Sequence, residues 1–245
     1  MGRGSSRGGR SSRVPPWVTG QGRRLSRVST SGSKDRLVWV DCEMTGLSVV
    51  DDALVEIAVL VTDGELTVLG EGVDVVIKPP AESLLQMRDV VRDMHTSSGL
   101  LDVLDAGTTI DDAQAQVMAY VQEWVPDPGK APLAGSTVGT DRGFIARDMP
   151  VLDEYLHYRV VDVSSIKELV KRWYPRVHFN SPAKHGGHRA MADILESIAE
   201  LRFYREAVFV PLPGPDSEST RAIAAGHELP AGSVPSWAPG LTAHL

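Results

Sequence analysis

The order of elements in this sequence predicts an α/β domain with a mixed five-stranded sheet and helices on both faces. Three observations carry that expectation. Apolar, β-branched runs follow one another over short links between residues 37 and 77; helical periodicity then takes over; and two further short strand runs alternate with helices up to residue 208. Strand runs on short links suggest an antiparallel meander, and the later alternation makes the sheet mixed.

Residues 37–42 read as the first strand, 53–62 (ALVEIAVLVT) as the second and 66–77 as the third, with Asp63-Gly64 as the turn between the last two. Residues 84–91 and 111–124 carry apolar side chains at helical spacing. Residues 132–137 form a short strand that leads through Gly139 into a helix from Asp141, and 150–156 form another short helix. Residues 160–163 are the last strand. Ser165-x-x-Glu168 is a capping-box signature that opens a helix to Trp173. Residues 187–208 read as a long amphipathic helix with Ile194, Ile198 and Leu201 on one side. No internal repeat is present.

This places one domain at 36–210 between two tails. Residues 1–35 are Gly, Ser and Arg with almost no core-forming side chains, and 211–245 are rich in Pro, Gly, Ala and Ser; both read as disordered. Arg23-Arg24 resembles a twin-arginine export signal, but no apolar stretch of signal-peptide length follows it. The leader is then a flexible extension, a start placed too far upstream, or a tail that attracts RNA.

Apolar residues make up 42% of the chain, typical of a soluble globular protein. No apolar run reaches the roughly 18 residues a membrane span needs. The single cysteine, Cys42, excludes an internal disulfide framework and a Cys-rich zinc site. It fits a reducing cytoplasm, the expected location. Residues 1–34 hold eight Lys/Arg and no acid, which leaves 17 basic against 32 acidic groups elsewhere, a balance of −15. A protein that clamps a long nucleic acid by its phosphates shows the opposite sign. Any nucleic acid held by this core is therefore short, or held through metal ions.

Three short stretches carry chemistry. In LVWVDCEMTGL, alternation along a strand puts Asp41 and Glu43 on one face while Val38, Val40 and Cys42 line the other. Paired carboxylates at a strand end suit a hard divalent cation. In GSTVGTDRGF a strand ends in a glycine-containing loop and Asp141 opens a helix, at the sheet edge where α/β proteins place ligands. In KHGGHRAMADI, His188 precedes Asp193 by five residues, a turn of about 500° on a helix. The two do not share a helical face, so His188 belongs on the glycine loop or first turn and Asp193 on the helix. Each stretch alone also fits a plain role: a solvated strand end, a helix N-cap, a surface histidine. Together they supply four carboxylates from three segments, which repel without a counter-ion. Two cations would neutralise them and stabilise the attacking and leaving oxygens of a phosphoryl displacement. An unperturbed histidine titrates near roughly pH 6.5, suited to taking a proton from water.

The pattern Asp41-x-Glu43, Asp141, His188-x4-Asp193 resembles the DEDDh 3′→5′ exonucleases, which have a ribonuclease H-like fold. VDCEMTGL, HTSSGL, DRGFIARDMP, HYRVVDVSSIKEL and HRAMADILESIAELRFYRE resemble, more narrowly, the oligoribonuclease family across about residues 37–208. The resemblance implies a homodimer that uses two divalent ions, Mg²⁺ or Mn²⁺. It implies removal of 5′-mononucleotides from the 3′ end of very short RNA oligonucleotides, dinucleotides above all, including linear dinucleotides derived from cyclic messengers. It implies Asp41, Glu43, Asp141 and Asp193 as metal ligands and His188 as general base. It further implies Leu47 as a wedge against a base, Arg159, Ser164 and Lys167 at the 5′ phosphate, Thr137 among the substrate contacts, and Tyr158 reaching the partner's site. Ser164 or Ser165 equally serve as helix caps, and Arg159 and Lys167 as surface charges. His95 also falls in a shared motif, with no role attached. Where relatives often place a stacking tryptophan, this chain has Val90; stacking is worth roughly 1–3 kcal/mol per base. Two rivals remain at this stage: a DEDDh exonuclease of the proofreading or repair type acting on longer DNA or RNA, and a catalytically dead scaffold dimer.

Overall fold

The computed structural model describes residues 35–184 and 187–228. The Arg23-Arg24 pair and nearly all of the leader lie outside those residues. Three strands come first, β1 (Leu37–Met44), β2 (Leu54–Thr62) and β3 (Val68–Val76). They pair antiparallel, β1 with β2 and β2 with β3, as the short links suggested. The third strand starts two residues later than its apolar run, because Leu66 turns with φ 66° before β3 begins.

Next come α1 (Ala81–Gln86), α2 (Asp89–Ser97), a 3-10 turn (Leu101–Ala106) and α3 (Ile110–Trp124). The single helix expected at 84–91 is thus two. The backbone is extended at Met87 and Arg88, which drives the Met87 side chain into the interior. Helix α3 begins where Thr109 accepts the Asp112 amide at 3.1 Å while its hydroxyl donates to the Asp112 carboxylate at 2.8 Å. That reciprocal pair satisfies an amide that the helix leaves open.

Strand β4 (Pro132–Gly135), α4 (Gly139–Asp148), α5 (Pro150–Tyr155) and β5 (His157–Asp162) follow. β4 lies parallel to β1, and β5 parallel to β4. The sheet order is therefore β3-β2-β1-β4-β5. Then come α6 (Val163–Trp173), α7 (Pro175–Phe179), α8 (Ala190–Ala207) and α9 (Ser217–Ala225). α6 is capped by Asp162, whose side chain accepts the Ser164 amide at 3.2 Å. The expected capping box at Ser165 is corrected accordingly: Ser165 donates to Asp162, and Glu168 pairs with Arg172 one turn on. α9 falls within the stretch read as tail. Asp216 starts it by accepting the Ser219 amide at 2.8 Å, but none of its residues is buried.

Two cores flank the sheet. Val38, Val40, Cys42 and Met44 enter one, closed by α3, α4 and α5 through Val117, Val121, Phe144, Ile145 and Leu152. Trp39, Ala58 and Leu60 enter the other, closed by α6 and α8 through Val163, Val170, Ile194, Ile198 and Leu201. Helices thus cover both faces, and β1 sits at the centre. Among the described residues, no helix is long and apolar enough to cross a membrane.

Candidate active site

Alternation along β1 puts Asp41 and Glu43 on the Trp39 side, under α8. Asp193 lies in the first turn of that helix. One ligand oxygen from each of Asp41, Glu43 and Asp193 lies within 4.8 Å of the others. Asp141, buried in the first turn of α4, stands beside them. Its Oδ1 accepts the Cys42 amide at 2.9 Å, which ties it to β1 between the two acids. The close approach of β4 makes this possible: a Cβ at Gly135 would meet the Val40 carbonyl oxygen at 2.7 Å. Only glycine fits there.

The electrostatics show four acids held together at a disadvantage. Burial, then the charges of Asp141, Asp193 and Glu43, pushes Asp41 up to about 9. Burial, then Asp193 and Glu56, lifts Glu43 to about 7. Burial lifts Asp141 to about 6 against the opposing amide bonds. Asp193 is raised too, by burial and then Glu196. A donor set made wholly of carboxylate oxygen, each member resisting ionisation, fits a hard divalent cation.

A pH prediction follows from these directions. Asp41 and Glu43 have folded values above their unfolded ones, so between about pH 4 and pH 9 the metal-free native state holds protons that the unfolded chain has released. Its stability falls as pH rises through that window. Cations need the ionised form, so the rise in Tm on adding magnesium grows from pH 6 to pH 9. Thermal melts with chelator and with magnesium across that range measure it; a pH-independent gain contradicts it.

His188 lies just before α8, exposed, with a left-handed φ of 44°. It is on the approach to the helix, as the five-residue spacing to Asp193 requires. His95 on α2 is fully buried. Its Nε2 donates to the Met44 carbonyl at 2.8 Å and its Nδ1 lies 3.9 Å from Glu43 Oε2. This histidine, given no role from sequence, braces the end of β1. Val90 is exposed on α2.

The expected substrate contacts fall into two groups. Thr137, at φ 60°, donates its amide to Asp162 at 2.8 Å and to the Ser164 hydroxyl at 3.1 Å. Burial opposes ionisation of Asp162, but the hydrogen bonds from Ser165, Ser164 and Thr137 outweigh it and hold the carboxyl below its usual range. Lys167 reaches Glu200 at 3.0 Å, and Lys184 meets the other oxygen of Glu200 at 3.2 Å. Arg159 lies 5.3 Å over the Tyr158 ring. Leu47 (74% exposed) and Tyr158 (71% exposed) project from the fold.

Sequence reasoning missed Asp162, Glu200 and Glu56. The signal for Asp162 was an acid immediately before Val163-Ser164-Ser165. For Glu56 it was a charge inside an otherwise apolar strand, since such residues are almost never buried unless paired. Asp162→Ala removes the α6 cap and is expected to lower stability by about 1 kcal/mol, with Asp162→Asn largely restoring it. Urea denaturation of the three proteins measures this, and an unchanged midpoint for the alanine variant refutes the cap.

Residues 38–201, which hold all four acids and His188, match the family described as Exonuclease. Two structures of the E. coli ExoI–ssDNA complex share the fold. The zinc-bound form has TM-score 0.56 and 17% identity over 71% of this chain and 41% of that one. The metal-free form has TM-score 0.55 and 16% identity over 71% and 40%. Sheet order and site thus define an exonuclease with a ribonuclease H-like fold. Relatives are much closer. The oligoribonuclease of Streptomyces avermitilis is 71% identical over 197 residues, 80% of this chain and 98% of that protein. Those of Cutibacterium acnes and Mycobacterium bovis are 59% and 56% identical, covering 78% of this chain and 95% and 90% of theirs. The chain belongs to the oligoribonuclease family.

Proposed function

We propose that this nuclease hydrolyses phosphodiester bonds as a 3′→5′ exoribonuclease on very short RNA, preferring dinucleotides and releasing 5′-mononucleotides. The observation that carries the reading is the convergence of Asp41, Glu43 and Asp193 from two distant segments, with Asp141 tied beside them. Asp41, Glu43, Asp141 and Asp193 would hold two divalent ions, Mg²⁺ or Mn²⁺. Bound there, the ions supply charge neutralisation and stabilise the attacking and leaving oxygens.

His188 accepts the proton of the attacking water. Its place on a segment outside α8 lets the imidazole approach without displacing Asp193. Leu47 wedges against a base. Arg159, Ser164 and Lys167 receive the 5′ end of the substrate, and Thr137 is a further substrate contact. The net acidity of residues 35–245 supports a substrate too short to need a basic track. Linear dinucleotides are substrates of the same kind.

A second copy of the chain is the proposed partner. β5 is an edge strand, and Tyr158, Val160, Leu169 and Trp173 (66% exposed) leave apolar surface on it and on α6. An open edge bearing such groups favours pairing. In that homodimer Tyr158 reaches the neighbouring site. The proposed location is the cytoplasm.

A 5′-labelled dinucleotide incubated with Mn²⁺ yields labelled mononucleotide, and chelator stops it; no product with metal present overturns the proposal. The ssDNA-bound E. coli ExoI structures share this fold, so a reading on longer strands is tested beside it. Comparable or faster rates on twenty-nucleotide RNA or DNA than on dinucleotides favour that alternative. No divalent binding by calorimetry favours a scaffold, and light scattering that shows only monomer removes Tyr158 from the partner's site.

A further inference from the structure

Next to the proposed base stands a buried charge with no part in the reaction as described. Glu56 lies near the start of β2, fully buried in an otherwise apolar stretch. Burying a carboxylate costs several kcal/mol unless it is well paired. Both of its oxygens meet one short segment of chain, and Asp74 of β3 hydrogen-bonds Glu56 as well. Oε1 accepts from Arg189 Nε at 2.8 Å and faces Nη2 at 2.6 Å; Oε2 accepts the Ala190 amide at 3.1 Å.

That segment is the start of α8, and His188 immediately precedes it. Arg189 occupies the N-cap position of the helix, and no side chain of its own caps it there. Glu56 supplies the missing acceptor from a neighbouring strand, and its negative charge suits the helix N-terminus. Glu56 is also the cross-strand partner of Glu43, so the clamp and the acid cluster share one sheet face. Beyond the clamp, His188 takes its left-handed conformation. Such a conformation persists only where its surroundings over-determine it.

We infer that Glu56 and Arg189 are positioning residues for His188. This rests on the proposed function. The clamp fixes the exit from the loop, so the imidazole arrives at a set distance from the site. Asp193 is also joined to this segment, since its amide bonds the Arg189 carbonyl at 3.1 Å, but it has further support: Ala190, Ile194, Ile198 and Leu201 pack α8 against Trp39, Ala58 and Leu60. Loosening the clamp therefore displaces the base more than the fourth acid.

The test combines Arg189→Met, which keeps an apolar stem, with the double variant Glu56→Gln/Arg189→Met, which removes both charges. Each is made with His188 intact and with His188→Ala, and kcat and KM are measured on a dinucleotide with magnesium. With His188 present and magnesium saturating, because Glu56 and Arg189 also act on the Glu43 carboxylate, kcat falls about 10- to 100-fold, the loss expected from a small misplacement of a reacting group, while KM changes little. With His188 replaced, the same substitutions have almost no further effect, because residues acting through one another are non-additive. A merely structural clamp would move both backgrounds equally. Equal losses in the two backgrounds, or an undiminished kcat in Arg189→Met, overturn the inference. If Arg189→Met fails to fold, the double variant, which leaves no unpaired Glu56 carboxylate, makes the same comparison. Wild-type protein that hydrolyses nothing with metal present defeats the exonuclease reading instead, so the two failures are distinct.

Discussion

Replacing His188 with alanine or asparagine is expected to lower kcat on a dinucleotide by roughly 10²- to 10⁴-fold, the contribution of a positioned proton acceptor. Divalent-cation affinity should stay nearly unchanged. His188 is exposed, outside α8, and not among the three residues whose ligand oxygens gather within 4.8 Å. On the proposed function, its loss takes away a proton acceptor and no ligand. The asparagine variant matters because position 188 has φ 44°, which asparagine tolerates better than alanine. It separates the missing imidazole from backbone strain. Asp41→Asn should behave differently and lose metal binding and turnover together. Steady-state kinetics and calorimetry on the three variants give the comparison. Wild-type kcat in His188→Asn would remove the base from the mechanism.

Trp39→Ala is expected to give the largest loss of stability, about 3–5 kcal/mol for a buried aromatic cut to alanine. For a chain of this size that lowers Tm by roughly 6–20 °C. Trp39 is fully buried among small partners, Ala58 and Ala134, and under Ile194 and Ile198 of α8. Small neighbours cannot collapse into the space its ring leaves. Its indole N–H also donates to the buried Thr62 hydroxyl at 2.9 Å. Trp39→Phe keeps most of the volume and loses that bond, so it should cost only about 1 kcal/mol. The effect reaches the site, because the helix resting on Trp39 carries Asp193: magnesium affinity should fall in the alanine variant. Denaturation in chelator and calorimetry measure the two effects. Stability close to wild type would mean that α8 is not seated on this ring.

The sequence was most informative where a local period decides the outcome. Alternation along β1 put Asp41 and Glu43 together and sent Val38, Val40 and Cys42 to the opposite core. The five-residue spacing put His188 off the helix that bears Asp193. The meander of β1, β2 and β3 was readable because its links are short. Reading was weaker where local signals competed. The apolar periodicity at 84–91 ran across a break at Met87 and Arg88, where the extended backbone turns Met87 inward. Ser165 offered a capping box, yet Asp162 caps α6 because its carboxylate collects Ser164, Ser165 and the Thr137 amide at once.

By itself, then, the sequence determined which side chains share a face along β1 and the order of most elements, and it marked four carboxylates and a histidine as candidates for a cation site. Those properties come from the covalent repeat of strands and helices, which acts over a few residues. Only the tertiary structure decided which acids meet, through the order β3-β2-β1-β4-β5 and the seating of α8. It alone paired Lys167 and Lys184 with Glu200, and Arg189 with Glu56. Such pairings join residues up to 133 positions apart. They depend on how the whole chain buries its apolar surface, a sum that no short window of sequence contains.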